Sequence, residues 1–340
     1  MKVFKMLALL LAMSMAFVSC EDPNAGPIVM VWYPNESGED LEAARDAFGE
    51  VIKEATGRDV EHQLTTDYAI AIETIANGNA HIGWQGAQGY IQTHNKNDKV
   101  LPMFVPSGKS GTLDDAVYYS WLAVKKGNEG QYQDGESYKI DNIQGQRFSF
   151  VSNSSTSGFK VPSAGITSYF SKMDAWSDLE QTDLLEGGDD KFFAEVLYGG
   201  SHQGSAVNLI TGKVDVAAFC DVCVQNYVEL VSGTANRPAA VYRVLDDAAA
   251  PFDDLAGEEV FLISVTPVLN APFVYNSEVL PADQMEAIVA AFTSEEVANN
   301  ERIFVPSGSE FTGLFRKGSD EMGFVTVEDS WFQPIRDLSN

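Results

Sequence analysis

Asn153-Ser154-Ser155-Thr156-Ser157-Gly158-Phe159-Lys160-Val161-Pro162 sets four consecutive hydroxyl side chains between a strand-like run and the start of a helical one. Such a junction can trap an anion without any fixed positive charge. Free backbone N–H groups and the positive end of the helix dipole converge there, and the hydroxyls add donors around them. The competing reading is an ordinary Ser/Thr helix cap, so the rest of the chain must decide. Three further residues have suitable chemistry. Tyr68 opens a helix-like segment, His202 follows Gly199-Gly200-Ser201, and Asp221 ends a strand-like run. A histidine of ordinary pKa near 6.5 is mostly neutral at pH 7 and can donate one N–H. Each has a plainer role available: surface packing for Tyr68, a satisfied loop histidine for His202, a helix cap for Asp221.

Catalysis finds little support. A serine, His202 and Asp221 can be imagined as a triad, but no G-x-S-x-G elbow occurs. Gly108-Lys109-Ser110 looks like the end of a P-loop, yet Met103 stands where the first glycine belongs. Asp114-Asp115 and Asp246-Asp247 read as solvated acidic loops, and Trp32, Trp84 and Trp121 as core or hinge residues. Cys220 and Cys223 form a C-x-x-C pair, open in principle to redox chemistry, a local disulfide or half a metal site. With no second pair, and with His62, His81, His94 and His202 out of ligand spacing, no metal or cofactor is expected. Structural cysteines are the favoured reading, ahead of a disulfide.

The elements that must position these residues alternate strand and helix. Ile28 to Trp32 reads as a strand. An amphipathic helix follows, with Leu41, Ala44, Phe48, Val51, Ile52 and Ala55 on one face and Gly57 as its stop. Val60 to Leu64, a helix from Tyr68 to Ala76 capped by Thr66-Asp67, and Ile82 to Trp84 complete a unit whose ligand belongs at the carboxyl ends of parallel strands. Tyr33 to Ser37, Thr66 to Tyr68 and Gln85 to Gln88 are the turns at those ends. After a long strand from Tyr118 to Lys125, suited to crossing between lobes, the pattern restarts. It runs through Arg147 to Val151, Glu195 to Tyr198, a helix from Val207 to Thr211, and Val214 to Phe219. A return crossing is expected near Phe261 to Val265. No internal repeat or low-complexity tract is visible.

Residues 1–19 carry Lys2 and Lys5 ahead of an apolar run, the pattern of an export signal too short to span a membrane. Phe17-Val18-Ser19-Cys20 resembles a lipobox, with Phe17 where Leu is usual, and predicts a diacylated Cys20 followed by a tether over 20–27. A plain cleaved signal is the alternative. The chain of 340 residues has a formal charge of −27, or about −29 once the two leader lysines are removed. That acidity and the lack of any basic run exclude a nucleic-acid partner. A small anion is not excluded, because neutral donors act locally while the global field is screened within ~8 Å.

Several segments resemble the phosphate/phosphonate-type substrate-binding proteins of ABC transporters. These are Thr65-Thr66-Asp67-Tyr68, Ala80-His81-Ile82-Gly83-Trp84-Gln85-Gly86, Ser155-Thr156-Ser157-Gly158 with Val161-Pro162, Gly199-Gly200-Ser201-His202, and Gly212-Lys213-Val214-Asp215-Val216-Ala217-Ala218. They stand in the family's order across roughly 29–273. The resemblance implies an α/β chain of the type II periplasmic-binding-protein fold, two doubly wound mixed sheets joined by crossing hinge strands. Its first lobe is expected over 28–122 and 264–340, its second over 123–263. It implies a non-enzymatic receptor, acting as a monomer, that closes on a small phosphorus oxyanion and delivers it to an ABC permease. Ser155, Thr156 and Ser157 would clasp the oxyanion from the second lobe and Tyr68 from the first. His202 would donate an N–H, and Asp221 would accept from a protonated oxygen or an ammonium group. Gln85, where an aromatic sometimes follows Trp84, would offer an amide to the ligand's other end. A larger pocket lined by Tyr33, Asn35, Glu36 and Gln88, suited to an organic phosphate or thiamine-like solute, is the rival expectation.

Overall fold

The computed structural model describes residues 26–309 and 311–338; the export signal, Cys20 and residues 20–25 of the tether lie outside the described residues. The chain opens with β1 (Ile28–Trp32), α1 (Glu42–Thr56), β2 (Val60–Leu64), α2 (Tyr68–Ala76), β3 (Ile82–Trp84), α3 (Ala87–Lys96) and β4 (Val100–Pro106). It continues through β5 (Val117–Lys125), a hairpin of β6 (Gln133–Asp134) and β7 (Ser137–Tyr138), β8 (Arg147–Phe150), α4 (Val161–Phe170), β9 (Glu195–Tyr198), α5 (His202–Ile210), β10 (Val216–Cys220) and α6 (Asp221–Val224). Next come β11 (Val228–Ser232), β12 (Val241–Val244), β13 (Glu259–Leu269), β14 (Phe273–Asn276), α7 (Ala282–Phe292) and α8 (Glu295–Ala298). β15 (Phe304–Val305), β16 (Phe315–Arg316), β17 (Phe324–Thr326) and α9 (Gln333–Asp337) end the described chain.

Two mixed sheets result, ordered β17-β4-β14-β3-β1-β2 and β11-β12-β13-β5-β10-β8-β9. In the first, β1 runs parallel to β2 and β3. In the second, β8 runs parallel to β9 and β10. The same strand-helix-strand-helix-strand unit thus occurs twice, although the two sequences share no visible repeat. α1 forms because Ala44, Phe48, Val51 and Ile52 recur at helical spacing and are buried, and Gly57, at φ +73°, ends it in the left-handed conformation. Phe48 packs face to face with Phe273 and Phe292, the centre of an aromatic core under the first sheet. Phe148, Phe150, Phe192 and Phe193 do the same for the second. No helix of the described residues is long and apolar enough to cross a membrane.

The two long strands pair antiparallel from Val117 opposite Leu269 to Lys125 opposite Val260, with an irregularity between Leu262 and Ser264. The lobe boundaries expected at 122/123 and 263/264 fall inside these strands, whose hydrogen bonding continues past them. By hydrogen bonding both strands belong to the second sheet, and the chain changes sheets at 107–116 and 270–272. α5 also departs from expectation: it begins at His202, five residues ahead of Val207. Ser201 caps it, its Oγ accepting from the Gly204 amide at 2.9 Å, so the glycine-rich run is the first turn of a helix.

Candidate functional site

β8 stops at Phe150, and the hydroxyl loop turns into a wide helical turn at Thr156–Lys160 before α4. Ser155 Oγ accepts from the Gly158 amide at 3.0 Å. The turn is tight enough that a Cβ on Gly158 would lie 2.3 Å from Val151 Cγ2, so only glycine fits. Ser155, Thr156 and Ser157 are almost wholly shielded from bulk solvent, yet they line a cavity of about 800 Å³ between the two sheets. Tyr68 approaches from the first lobe; its hydroxyl is hydrogen-bonded to Ser155 and accepts from Asn35 Nδ2 at 2.7 Å. Tyr118, on β5, is hydrogen-bonded to Ser157 and Thr156. All six groups, counting His202, are neutral donors.

His202 is held by both of its ring nitrogens. Nδ1 accepts from the backbone amide of Cys220 at 3.0 Å, and Nε2 lies 3.3 Å from Ser155 Oγ. An amide can only donate, so Nδ1 carries the lone pair and Nε2 the proton. Burial pushes the imidazole pKa down to about 3, which keeps it neutral. This is the donor form that an oxyanion needs. It is the wrong tautomer for a base acting on Ser155, which would require a lone pair on Nε2 and an Nδ1–H given to a carboxylate.

Asp221 lines the same cavity. Its Oδ1 accepts from the Tyr119 amide and its Oδ2 from Asn236 Nδ2, both at 2.9 Å. Burial raises its pKa to about 6, less than isolation would, because these donors favour the carboxylate. Gln85 does not join the site. Its side chain is buried inside the first lobe, where Oε1 accepts from Thr93 Oγ1 at 2.9 Å, and the neighbouring Gly86 lines the cavity instead. Cys220 and Cys223 are joined in a disulfide on the cavity wall. Their sulfurs lie near His202, but bridged sulfurs are not thiolate ligands and Nδ1 is already engaged, so the cluster does not read as a metal site.

Two residues deserve more weight than their sequence setting suggests. Tyr118 reads only as the start of a crossing strand, though Tyr118 and Ser120 alternate onto one face of β5, where Ser120 Oγ donates to the Ser157 carbonyl at 2.6 Å. Asn35 joins the lobes: its Oδ1 accepts from the His202 amide and its carbonyl from Gln203 Nε2, both at 3.0 Å. The Gln88 amide donates to Thr156 Oγ1 at 2.9 Å, and Tyr227 Oη to Asp40 at 2.9 Å. The cleft is closed.

Among the described residues, no cation is bonded to the carboxyl of Glu36, which sits in the wall. Its Oε2 is unpartnered, Asn35 bonds to the carboxyl, and Arg45 is turned to the Glu36 and Gly38 carbonyls. Burial raises its pKa from 4.5 to about 8. Glu36 and Gln203, whose Oε1 is also unpartnered, share a side chamber of about 20 Å³, room for one water that could donate to both.

The family described as the phosphonate periplasmic substrate-binding proteins of ABC transporters matches residues 30–332. A curated relative, the phosphate-import protein PhnD of Mycolicibacterium smegmatis, is 24% identical over 199 residues. That match spans 58% of this chain and 56% of the relative, little more than half its length. Among solved structures, the binding protein of an ABC phosphonate transporter from Pseudomonas aeruginosa superposes with a TM-score of 0.60 at 18% identity, over 92% of this chain and 85% of that one. PhnD1 from Prochlorococcus marinus, solved with methylphosphonate, gives 0.60 at 13% identity, over 93% and 97%. At these identities the structures establish the fold.

Glu36 makes stability fall with rising pH. Between its unfolded value of 4.5 and its folded value of about 8 the native state holds the extra proton, so ionisation favours unfolding. Tyr33 and Tyr68 beside it stay neutral, and Asp221 adds the same sign between 3.8 and about 6. His202 acts oppositely: it loses stability as pH falls from 6.5 toward 3. Thermal unfolding should therefore show wild type losing up to a few kcal/mol between about pH 4.5 and 8, offset by His202 below 6.5. Glu36→Gln should flatten the limb from about pH 6.5 to 8 while keeping the His202 loss on acidification. Equal alkaline slopes in both proteins would contradict this account of Glu36.

Proposed function

The chain belongs to the phosphonate periplasmic substrate-binding proteins of ABC transporters, and from that membership we propose that it captures a phosphorus oxyanion between its lobes and delivers it to an ABC permease. The observation that carries this reading is the convergence of Ser155, Thr156, Ser157, Tyr68, Tyr118 and His202 on one end of the cavity, with His202 fixed as an N–H donor. An oxyanion there replaces water with preorganised dipoles from both lobes, and each charge-assisted bond contributes about 1.5–3 kcal/mol. The phosphate-import relative and the methylphosphonate-bound neighbour support this ligand class. Asp221, with lone pairs left on both oxygens, is suited to accept from a protonated oxygen or an ammonium group.

The reading is of a receptor and not a hydrolase, because the Ser155–His202 contact has the tautomer that cannot remove the serine proton. The lobes move about the segments 107–116 and 270–272, and ligand favours the closed form by its differential affinity. Periplasmic family membership goes with export. We extend it to a lipid anchor at Cys20, on the lipobox-like Phe17-Val18-Ser19-Cys20.

Three experiments test these statements. Replacing Ser155 and Ser157 together by alanine should weaken phosphonate binding at least tenfold in isothermal titration; unchanged affinity would remove the site. A Cβ on Gly86 would lie 2.7 Å from Thr156 Oγ1 on the opposite lobe, so Gly86→Ala should oppose closure alone. Affinity should drop several-fold and small-angle scattering of the ligand-saturated variant should stay at the larger radius of the open form; normal affinity and compaction would refute the closure mechanism. Cys20→Ala should move the protein from the detergent to the aqueous phase on partitioning, and continued detergent partitioning would rule out the anchor.

A further inference from the structure

The cavity is far larger than the oxyanion site. Phosphate or methylphosphonate has five heavy atoms, and at about 20–30 Å³ apiece it takes up about 100–150 Å³, against about 800 Å³ between the lobes. The remaining chamber leads away from the hydroxyl loop, bounded by Trp84, Val117, Leu314, Phe315, Met322 and the Cys220–Cys223 disulfide. Its walls are built in. Trp84 Nε1 donates to the Ala271 carbonyl at 3.1 Å and its ring meets Phe315 edge-on at 5.1 Å. Phe315 is anchored in turn against Phe48 and Phe324. The Leu314 carbonyl accepts from Gln225 Nε2 across the cleft at 3.1 Å.

Several of the polar side chains around this chamber are already engaged by the protein, while Lys109 and Asp221 stand elsewhere on the cavity lining. Asn270 Nδ2 donates to the Pro106 carbonyl at 2.7 Å, Asn236 Nδ2 to Asp221, Arg316 to the Gln225 carbonyl, and Asp115 accepts from Ser110. The wall formed by Trp84, Val117, Leu314, Phe315, Met322 and the disulfide is apolar and aromatic, and it favours an apolar substituent over water. Resting on the oxyanion reading above, we propose that the ligand is an organophosphorus compound with a bulky, mainly apolar substituent of aryl size. Its phosphonate or phosphate end lies on Ser155–Ser157, and its substituent lies between Trp84 and the disulfide. Inorganic phosphate and methylphosphonate fill only the head of such a site.

The test is isothermal titration of the purified protein, freed of co-purifying ligand by unfolding and refolding, with phosphate, methylphosphonate, phenylphosphonate and benzylphosphonate. Phenyl- or benzylphosphonate should bind at least tenfold more tightly than methylphosphonate, equivalent to about 1.4 kcal/mol, with a more negative heat-capacity change. Met322→Trp, and independently Val222→Trp should the first not fold, should narrow the chamber and collapse that affinity ratio at least tenfold. Methylphosphonate binding as well as or better than the aryl ligands would overturn the substituent site while leaving the oxyanion reading standing. An aryl preference that survives both tryptophan variants would also overturn it. Binding of none of the four would overturn both.

Discussion

With the Cys220 amide donating to His202 Nδ1, the imidazole has one proton, on Nε2, directed at Ser155. The cleft depends on that arrangement, because everything else at its anionic end is also a neutral donor. A lysine or arginine would attract an anion more strongly, but would leave a buried charge to be balanced when the cleft is unliganded. Hydroxyls, amides and a neutral imidazole can bond to one another, as Ser155, Tyr68 and Asn35 do, and can turn the same donors to an oxyanion. A chain with a net charge of −27 can bind an anion on these terms, because the oriented donors lie within bonding distance while the surface charge is distant and screened.

The placement of those donors follows from sheet order. Each lobe contains a parallel β2-β1-β3-type trio, repeated as β9-β8-β10, and in each the chain reverses direction of winding beside the middle strand. Crevices at the carboxyl ends of such strands are where open α/β sheets bind ligands. Here two crevices face each other. The turn after β1 supplies Tyr33, Asn35 and Glu36, and that after β3 supplies Gly86. The turn after β8 supplies the hydroxyl loop, and β10 ends at Cys220 and Asp221. The long antiparallel β5–β13 pair lies between them and adds Tyr118.

Local patterning carried much of this architecture. The periodic face of α1, the Asp67 cap and the strands β1 to β3 are legible because propensity, hydrophobic spacing and turn chemistry agree there. The hydroxyl loop and His202 are legible by type. Other features depend on contacts far apart in sequence. Gly199 to Gly204 reads as loop because glycine is a poor helix former, yet Ser201 caps a helix there and the His202 amide finds Asn35 on the other lobe. Gln85 looks like a pocket residue from its neighbour Trp84, but strand alternation turns it inward to Thr93. The bonding of Cys220 to Cys223 cannot be told from spacing alone, and the burial of Glu36 depends on Gln203 and Tyr227 from the second lobe.

Closure of the cleft also has an energetic meaning. The bonds from Asn35 to His202 and Gln203, from Gln88 to Thr156 and from Tyr227 to Asp40 replace bonds to water, and each contributes about 0.5–1.5 kcal/mol net. Against them stand the loss of lobe freedom and the desolvation of Glu36 and Asp221, which burial pushes to about 8 and about 6. The balance of these opposing terms sets the equilibrium between open and closed forms. Moving such an equilibrium from 1:99 to 99:1 needs about 5.5 kcal/mol of differential affinity. Two or three charge-assisted bonds made only in the closed cleft reach that figure. Donors contributed by both lobes would therefore suffice, on the proposed reading, to hold the cleft closed on an oxyanion.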